Sequence, residues 1–143
     1  MVNAAGVTNE DTRSYAEILD IEKGMIALEV GWDEDCDPAI SESIEDVLGD
    51  DFLEDDTDEL CDVVILWWRD EDGDLVDGLV DSLRPVSDGG RIWLLTPGAG
   101  KPGTVEPGVI AESAQLSGLV QTKAERLGDW QGSCLVGRGY TKK

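Results

Sequence analysis

Six consecutive apolar residues, Val63–Trp68 (VVILWW), constrain this chain more than any other feature. A strand with one face in water alternates apolar and polar residues, so an unbroken β-branched and aromatic run is expected where both faces are covered. That is the place of a central strand in a parallel sheet, with helices packed above and below it. Met25–Val30 (MIALEV) and Arg91–Thr96 (RIWLLT) read as two further buried strands, the first ended by Gly31 and the second entered through a turn at Gly89-Gly90.

Helical segments separate these runs. A short helix is expected over Asp11–Leu19, burying Tyr15, Ile18 and Leu19. Asp37-Pro38 opens a second, with Asp as N-cap and Pro at the first helical position; Ile40, Ile44, Val47 and Leu48 fall on one face and Gly49 closes it. Asp74–Arg84 is amphipathic on Leu75, Val76, Leu79, Val80 and Leu83, and Pro107 opens a fourth helix to about Ser117. Leu119–Arg126 and Gly132–Val136 then read as a hairpin around Gly128-Asp129. The order α-β-α-β-α-β-α-β-β predicts an α/β fold, a truncated Rossmann-like, mostly parallel sheet of about five strands. Helices cover both faces, and the C-terminal hairpin adds an antiparallel edge. Residues 11–143 form one domain behind a loose tail, 1–10; an acidic loop spans 50–59 and a Gly/Pro-rich loop spans 97–106.

Charge narrows the partners. The 143 residues carry a formal net charge of −21. Between Glu29 and Asp74 stand 20 acids and one base, Arg69, so nearly all the excess lies in that stretch. Such a field repels nucleic-acid phosphates and anionic membranes and suits a basic protein surface, or simply keeps the chain in solution. No signal peptide or membrane-spanning run is visible, and three dispersed cysteines (Cys36, Cys61, Cys134) argue for a reducing compartment, so a cytoplasmic protein is expected. Cys61 and Cys134 border apolar runs and read as core fillers.

Catalytic motifs are incomplete. Histidine is absent, which removes Ser–His–Asp and Cys–His nucleophiles and most zinc sites. Asp70-Glu71-Asp72-Gly73-Asp74 and Asp33, Asp35, Asp37 fail the calcium-loop spacing, with Leu75 and Pro38 where glycine is needed. Gly98-Ala99-Gly100-Lys101-Pro102 lacks the first glycine and the Ser/Thr of a phosphate loop. No metal and no cofactor is expected.

Ala27-Leu28-Glu29-Val30-Gly31 resembles the first strand and glycine turn of class I S-adenosylmethionine methyltransferases, where an acidic residue precedes a Gly-rich cofactor loop. On that resemblance Val63–Trp68 corresponds to the fourth strand, Arg91–Thr96 to the fifth, and Leu119 onward to the closing hairpin. The chain departs from the pattern at Trp32, Asp33, Glu34 and Asp35, which replace the later glycines. It also departs in having no room for the two strands whose first would carry a ribose-binding carboxylate. Over residues 15–137 it also resembles a family of short acidic actinobacterial proteins classed as a domain of unknown function. That likeness rests on Gly31-Trp32-Asp33-Glu34-Asp35, Leu66-Trp67-Trp68-Arg69-Asp70 and Trp93-Leu94-Leu95-Thr96-Pro97.

Ligands of open α/β sheets bind at the carboxyl ends of the strands. Gly31, Trp32, Asp33 and Asp35, then Trp68, Arg69 and Asp70, then Thr96 and Lys101 should gather there as one edge. Trp32, Trp68 and Arg69 are expected at its centre, as a partner's hot spot or as a plug in the cofactor space. The expected function is therefore a non-catalytic interaction or regulatory domain whose partner has a basic surface. The alternatives are a nucleotide or small-molecule binder, an S-adenosylmethionine-dependent enzyme using the same edge, and a nucleic-acid mimic.

Overall fold

The computed structural model describes residues 14–49, 52–53 and 59–137. The expected tail and most of the acidic loop lie outside these. Helix α1 (Tyr15–Ile18) is capped by Ser14, whose side chain accepts from the Glu17 amide while Glu17 reaches back to the Ser14 amide. Then follow strand β1 (Ala27–Val30), helix α2 (Pro38–Leu48) and strand β2 (Cys61–Trp67). Asp37 caps α2 with its side chain, and Gly49 ends it in the left-handed region, as its sequence predicts. A 3₁₀ turn at Asp70–Asp72 precedes α3 (Leu75–Leu83), β3 (Val86–Pro97), α4 (Pro107–Leu116), β4 (Leu119–Leu127) and β5 (Trp130–Gly137).

The sheet has five strands in the order β1-β2-β3-β5-β4. β1, β2 and β3 run parallel, and β5 is antiparallel to both β3 and β4. The C-terminal hairpin forms the antiparallel edge as expected, with β5 seated beside β3 and β4 outermost, running in the direction of β3. The crossover through α4 sets β4 down one position too far, and the hairpin returns β5 into the gap. Strand β3 also starts earlier than its apolar run, with Gly89-Gly90 inside it at a register shift against β2.

Alternation along the strands sorts side chains onto two faces. Val63, Ile65, Trp67, Trp93 and Leu95 pack under α1 and α2; Val64, Leu66, Ile92 and Leu94 pack under α3 and α4. Trp93 Nε1 donates to the Leu19 carbonyl at 2.9 Å, tying the end of α1 to the first face. Val80, expected on the buried side of α3, is exposed. Phe52 and Leu53, inside the segment read as purely acidic loop, dock instead: Leu53 N–H donates to the Ala27 carbonyl at 2.8 Å and Phe52 joins the first core. No described helix is long and apolar enough to cross a membrane.

Candidate functional site

The carboxyl ends of β1, β2 and β3 meet at one edge, and Gly31 is its pivot. The backbone turns there with φ +83°, and a Cβ would lie 2.4 Å from the Trp67 carbonyl oxygen, so only glycine fits. The chain then passes Trp32, Asp33, Glu34 and Asp35 before Asp37 starts α2.

Arg69 closes this turn. Its Nη1 donates to the Gly31 carbonyl at 2.9 Å, its Nε and Nη2 form a fork onto Asp35 at 3.0 and 2.5 Å, and Nη2 also reaches Cys36 Sγ at 3.0 Å. Nη1 lies 3.5 Å from Asp72, whose carboxylate also accepts the Arg69 amide at 2.9 Å. Arg69 is only 8 % exposed and its guanidinium carbon stands 5.5 Å from the centre of the Trp130 ring. A rigid planar fork suits this multiple capture in a way a lysine ammonium does not. The hydrogen bond from Arg69 holds the Asp35 carboxyl below its ordinary range, and the same bond raises Arg69. Burial pushes the Cys36 thiol up, against the opposing pull of the Asp33 amide and Arg69, so it stands neutral at physiological pH.

Three indoles fill the space behind the turn. Trp32, 46 % exposed, meets the buried Trp67 edge-on with centroids 5.5 Å apart, and Trp67 meets Trp130 edge-on at 4.8 Å. Trp67 Nε1 donates to Glu29 at 3.0 Å, and Ser41 donates to the same carboxylate oxygen at 2.5 Å.

Of the residues expected at the edge, Gly31, Asp35 and Arg69 are joined in one cluster with Trp32 beside it, and Asp33 and Asp70 lie exposed nearby. Trp68 does not join them. Being next to Trp67 on a strand, it points to the opposite face and packs among the α3 side, against Gly78. Thr96 is buried in the sheet, and Lys101 sits in the loop after β3, with Nζ 3.4 Å from Asp129. Arg69 is turned inward, so it is not a surface anchor. Sequence reasoning missed Cys36, Asp72, Trp67 and Trp130 as members. Trp130 had a signal: a residue directly after the Gly128-Asp129 turn of an antiparallel hairpin returns at this same edge. Among the described residues no cluster of three or more potential ligands could hold a metal ion.

The fold is that of a methyltransferase-like Rossmann domain. A ribosomal protein L11 methylase from Lactobacillus delbrueckii subsp. bulgaricus superposes with a TM-score of 0.55 at 12 % identity, over 87 % of this chain and 75 % of that one. A TehB-like SAM-dependent methyltransferase from Corynebacterium glutamicum does so with a TM-score of 0.53 at 14 % identity, over 90 % of each. Residues 16–139 match the family described as "Protein of unknown function (DUF3052)", and the chain belongs to that family. It is similar to "Uncharacterized protein Rv2239c" of Mycobacterium tuberculosis, 47 % identical over 130 residues that cover 91 % of this chain and 82 % of the relative.

The methyltransferase likeness implies S-adenosylmethionine, and the residues at the turn do not fit it. The Gly31 carbonyl and the Asp35 and Cys36 side chains after it are held by Arg69, bulky and acidic residues stand where close backbone approach needs glycine, and the Glu29 carboxylate is engaged by Trp67 and Ser41. On the far side of β1, where a ribose-binding strand would pair, the described residues offer only a single bridge, Leu28 to Leu53.

Proposed function

We propose that this chain is a non-catalytic interaction or regulatory domain on a degenerate methyltransferase-like sheet, holding a partner with a basic surface at the acidic edge around Trp32. The observation that carries this reading is the Arg69 latch with the three indoles. Together they occupy the space behind the Gly31 turn while leaving Trp32 half in water, with Asp33, Glu34 and Asp70 exposed around it. An aromatic anchor ringed by like charges supplies contact area and steering toward a cationic partner.

The test is capture of cellular partners by the full chain and by the triple variant Asp33→Lys, Glu34→Lys, Asp70→Lys. These three positions are chosen because none of their side chains holds Arg69. Loss of a partner in the variant, with the fold intact by circular dichroism, supports the reading. Retention of every partner ends it.

The sheet order favours a second reading, a small-molecule or nucleotide binder at the same edge, with an S-adenosylmethionine-dependent enzyme as its strongest form. A ligand that binds only the native state raises the melting temperature. A nucleotide and S-adenosylmethionine screen that moves it by several degrees would favour this reading over the first.

A further inference from the structure

The two ends of the sheet differ. At one end β1 is four residues long and its outer side takes the Leu53 bridge. At the other end β4 is nine residues long, and among the described residues no strand pairs with its outer side. Between its buried ends, Leu119 and Leu127, it is almost wholly exposed. A long open edge is a template for another strand, and chains that stay apart guard it with proline, with lysine or with a bulge. β4 has no proline. Its lysine, Lys123, is drawn back over its own molecule, paired with Asp20 and 5.9 Å from the centre of the Trp93 ring. Its bulge lies between Gln121 and Lys123, so the run Lys123–Leu127 is regular.

The hairpin decides which backbone groups of that run face outward. Leu127 and Trp130 flank the two-residue turn Gly128-Asp129 and so exchange both backbone hydrogen bonds. Alternation then turns the N–H and C=O of Lys123, Glu125 and Leu127 towards β5, and those of Ala124 and Arg126 outward. A second copy of β4 running antiparallel can join at Ala124, each Ala124 amide donating to the other's carbonyl about a two-fold axis. This register sets Lys123 opposite Glu125 of the other copy, twice, both side chains lying on the face that Leu127 shares with α1 and α2. Slipped by two residues either way, Lys123 or Glu125 would fall opposite itself, so the charges select the register centred on Ala124. The wider charge distribution agrees. The β4–β5 hairpin carries two bases, Lys123 and Arg126, against two acids, Glu125 and Asp129. The strand at the opposite end of the sheet, β1, opens the acidic Glu29–Asp74 stretch.

We propose that β4 is a self-association edge, through which two copies of this chain pair antiparallel about Ala124 into one continuous sheet. A Lys123–Glu125 pair closes the contact on each side of the axis. This surface is distinct from the Trp32 edge and does not depend on the partner proposed there.

The experiment is sedimentation equilibrium of the full chain over a concentration series, with circular dichroism of every variant as the check on folding. The wild-type mass should rise with concentration to that of two copies. Ala124→Pro takes away the outward N–H while sparing the ladder to β5, a change that an edge strand tolerates, and should abolish the dimer. Glu125→Lys and Lys123→Glu each set like charges opposite one another at both pairs, so each alone should associate at least about tenfold more weakly. Mixed in equal amounts, these two variants carry complementary charges at every pair, and the dimer should return. A wild-type chain that keeps the mass of one copy throughout would overturn the proposal. So would a dimer unchanged by all three substitutions, or a mixture of the charge variants that associates no better than either alone. Should Ala124→Pro unfold, the mixed pair decides by itself.

Discussion

Arg69 does at the residue scale what no other side chain here could. Its donors are spread over Gly31, Asp35, Cys36 and Asp72, so one residue joins the turn after β1 to the turn after β2 and lies against Trp130. Replacing it with alanine takes the donor from the Gly31 carbonyl and unpins both turns. We expect a loss of about 2 kcal/mol or more, because hydrogen bonds to charged groups contribute about 1.5–3 kcal/mol each and Asp35 is partly solvated and recovers some water. Arg69→Lys should restore little of it, since an ammonium cannot make the fork; urea denaturation of the three proteins measures both effects. The pH dependence has a definite sign. The Asp35 carboxyl is depressed in the folded state by its hydrogen bond from Arg69. Its contribution is therefore present above the ordinary carboxylate range and disappears as pH falls through the lower folded value. Stability should decline on acidification below about pH 4, and Asp35→Asn should flatten that limb. Burial raises Cys61 from 9.0 to about 11, so this thiol should resist alkylation at neutral pH until the chain is unfolded.

At the scale of elements, two glycines with left-handed backbones separate strain from crowding. Gly49 ends α2 at φ +77° with open space where a Cβ would go, whereas at Gly31 the Cβ would collide with the Trp67 carbonyl. Gly49→Ala should cost about 1 kcal/mol, the left-handed penalty alone, while Gly31→Ala should cost about 3 kcal/mol or more. Thermal melts of the pair would contradict this account if the two losses were equal. Most elements were legible because local signals agreed with burial: Asp37-Pro38 and Gly49 bracket α2, and the unbroken Val63–Trp68 run marks a strand covered twice. What the residues could not reveal was set by neighbours. Nothing in Trp67-Trp68 says which indole faces the turn, because that parity depends on which helices cover which face. Leu53 looks like loop until β1 is present to accept its amide. The insertion of β5 beside β3 is likewise a matter of long-range pairing that no local pattern of the hairpin encodes. The candidate site was legible in location and only partly in membership, since Cys36 and Trp130 reach it through packing.

For the whole molecule, the balance is between a strongly acidic half and a sheet that needs no ligand to complete its core. Residues 29–74 carry the charge excess while the segment from β3 to β5 is nearly neutral, so repulsion is concentrated in one stretch of the chain. Screening should relieve it: with a Debye length of about 8 Å at physiological ionic strength and about 3 Å at 1 M, the melting temperature at neutral pH should rise with added sodium chloride. A fall would mean that the Arg69 pair outweighs the repulsion. We propose that the chain's own side chains fill the cofactor space of this methyltransferase-like fold. Isothermal titration of S-adenosylmethionine and S-adenosylhomocysteine into the folded protein tests it most directly. No binding heat from either is the predicted result; saturable micromolar binding of either would contradict the reading of the Gly31 turn and return this edge to the catalytic side of its fold class.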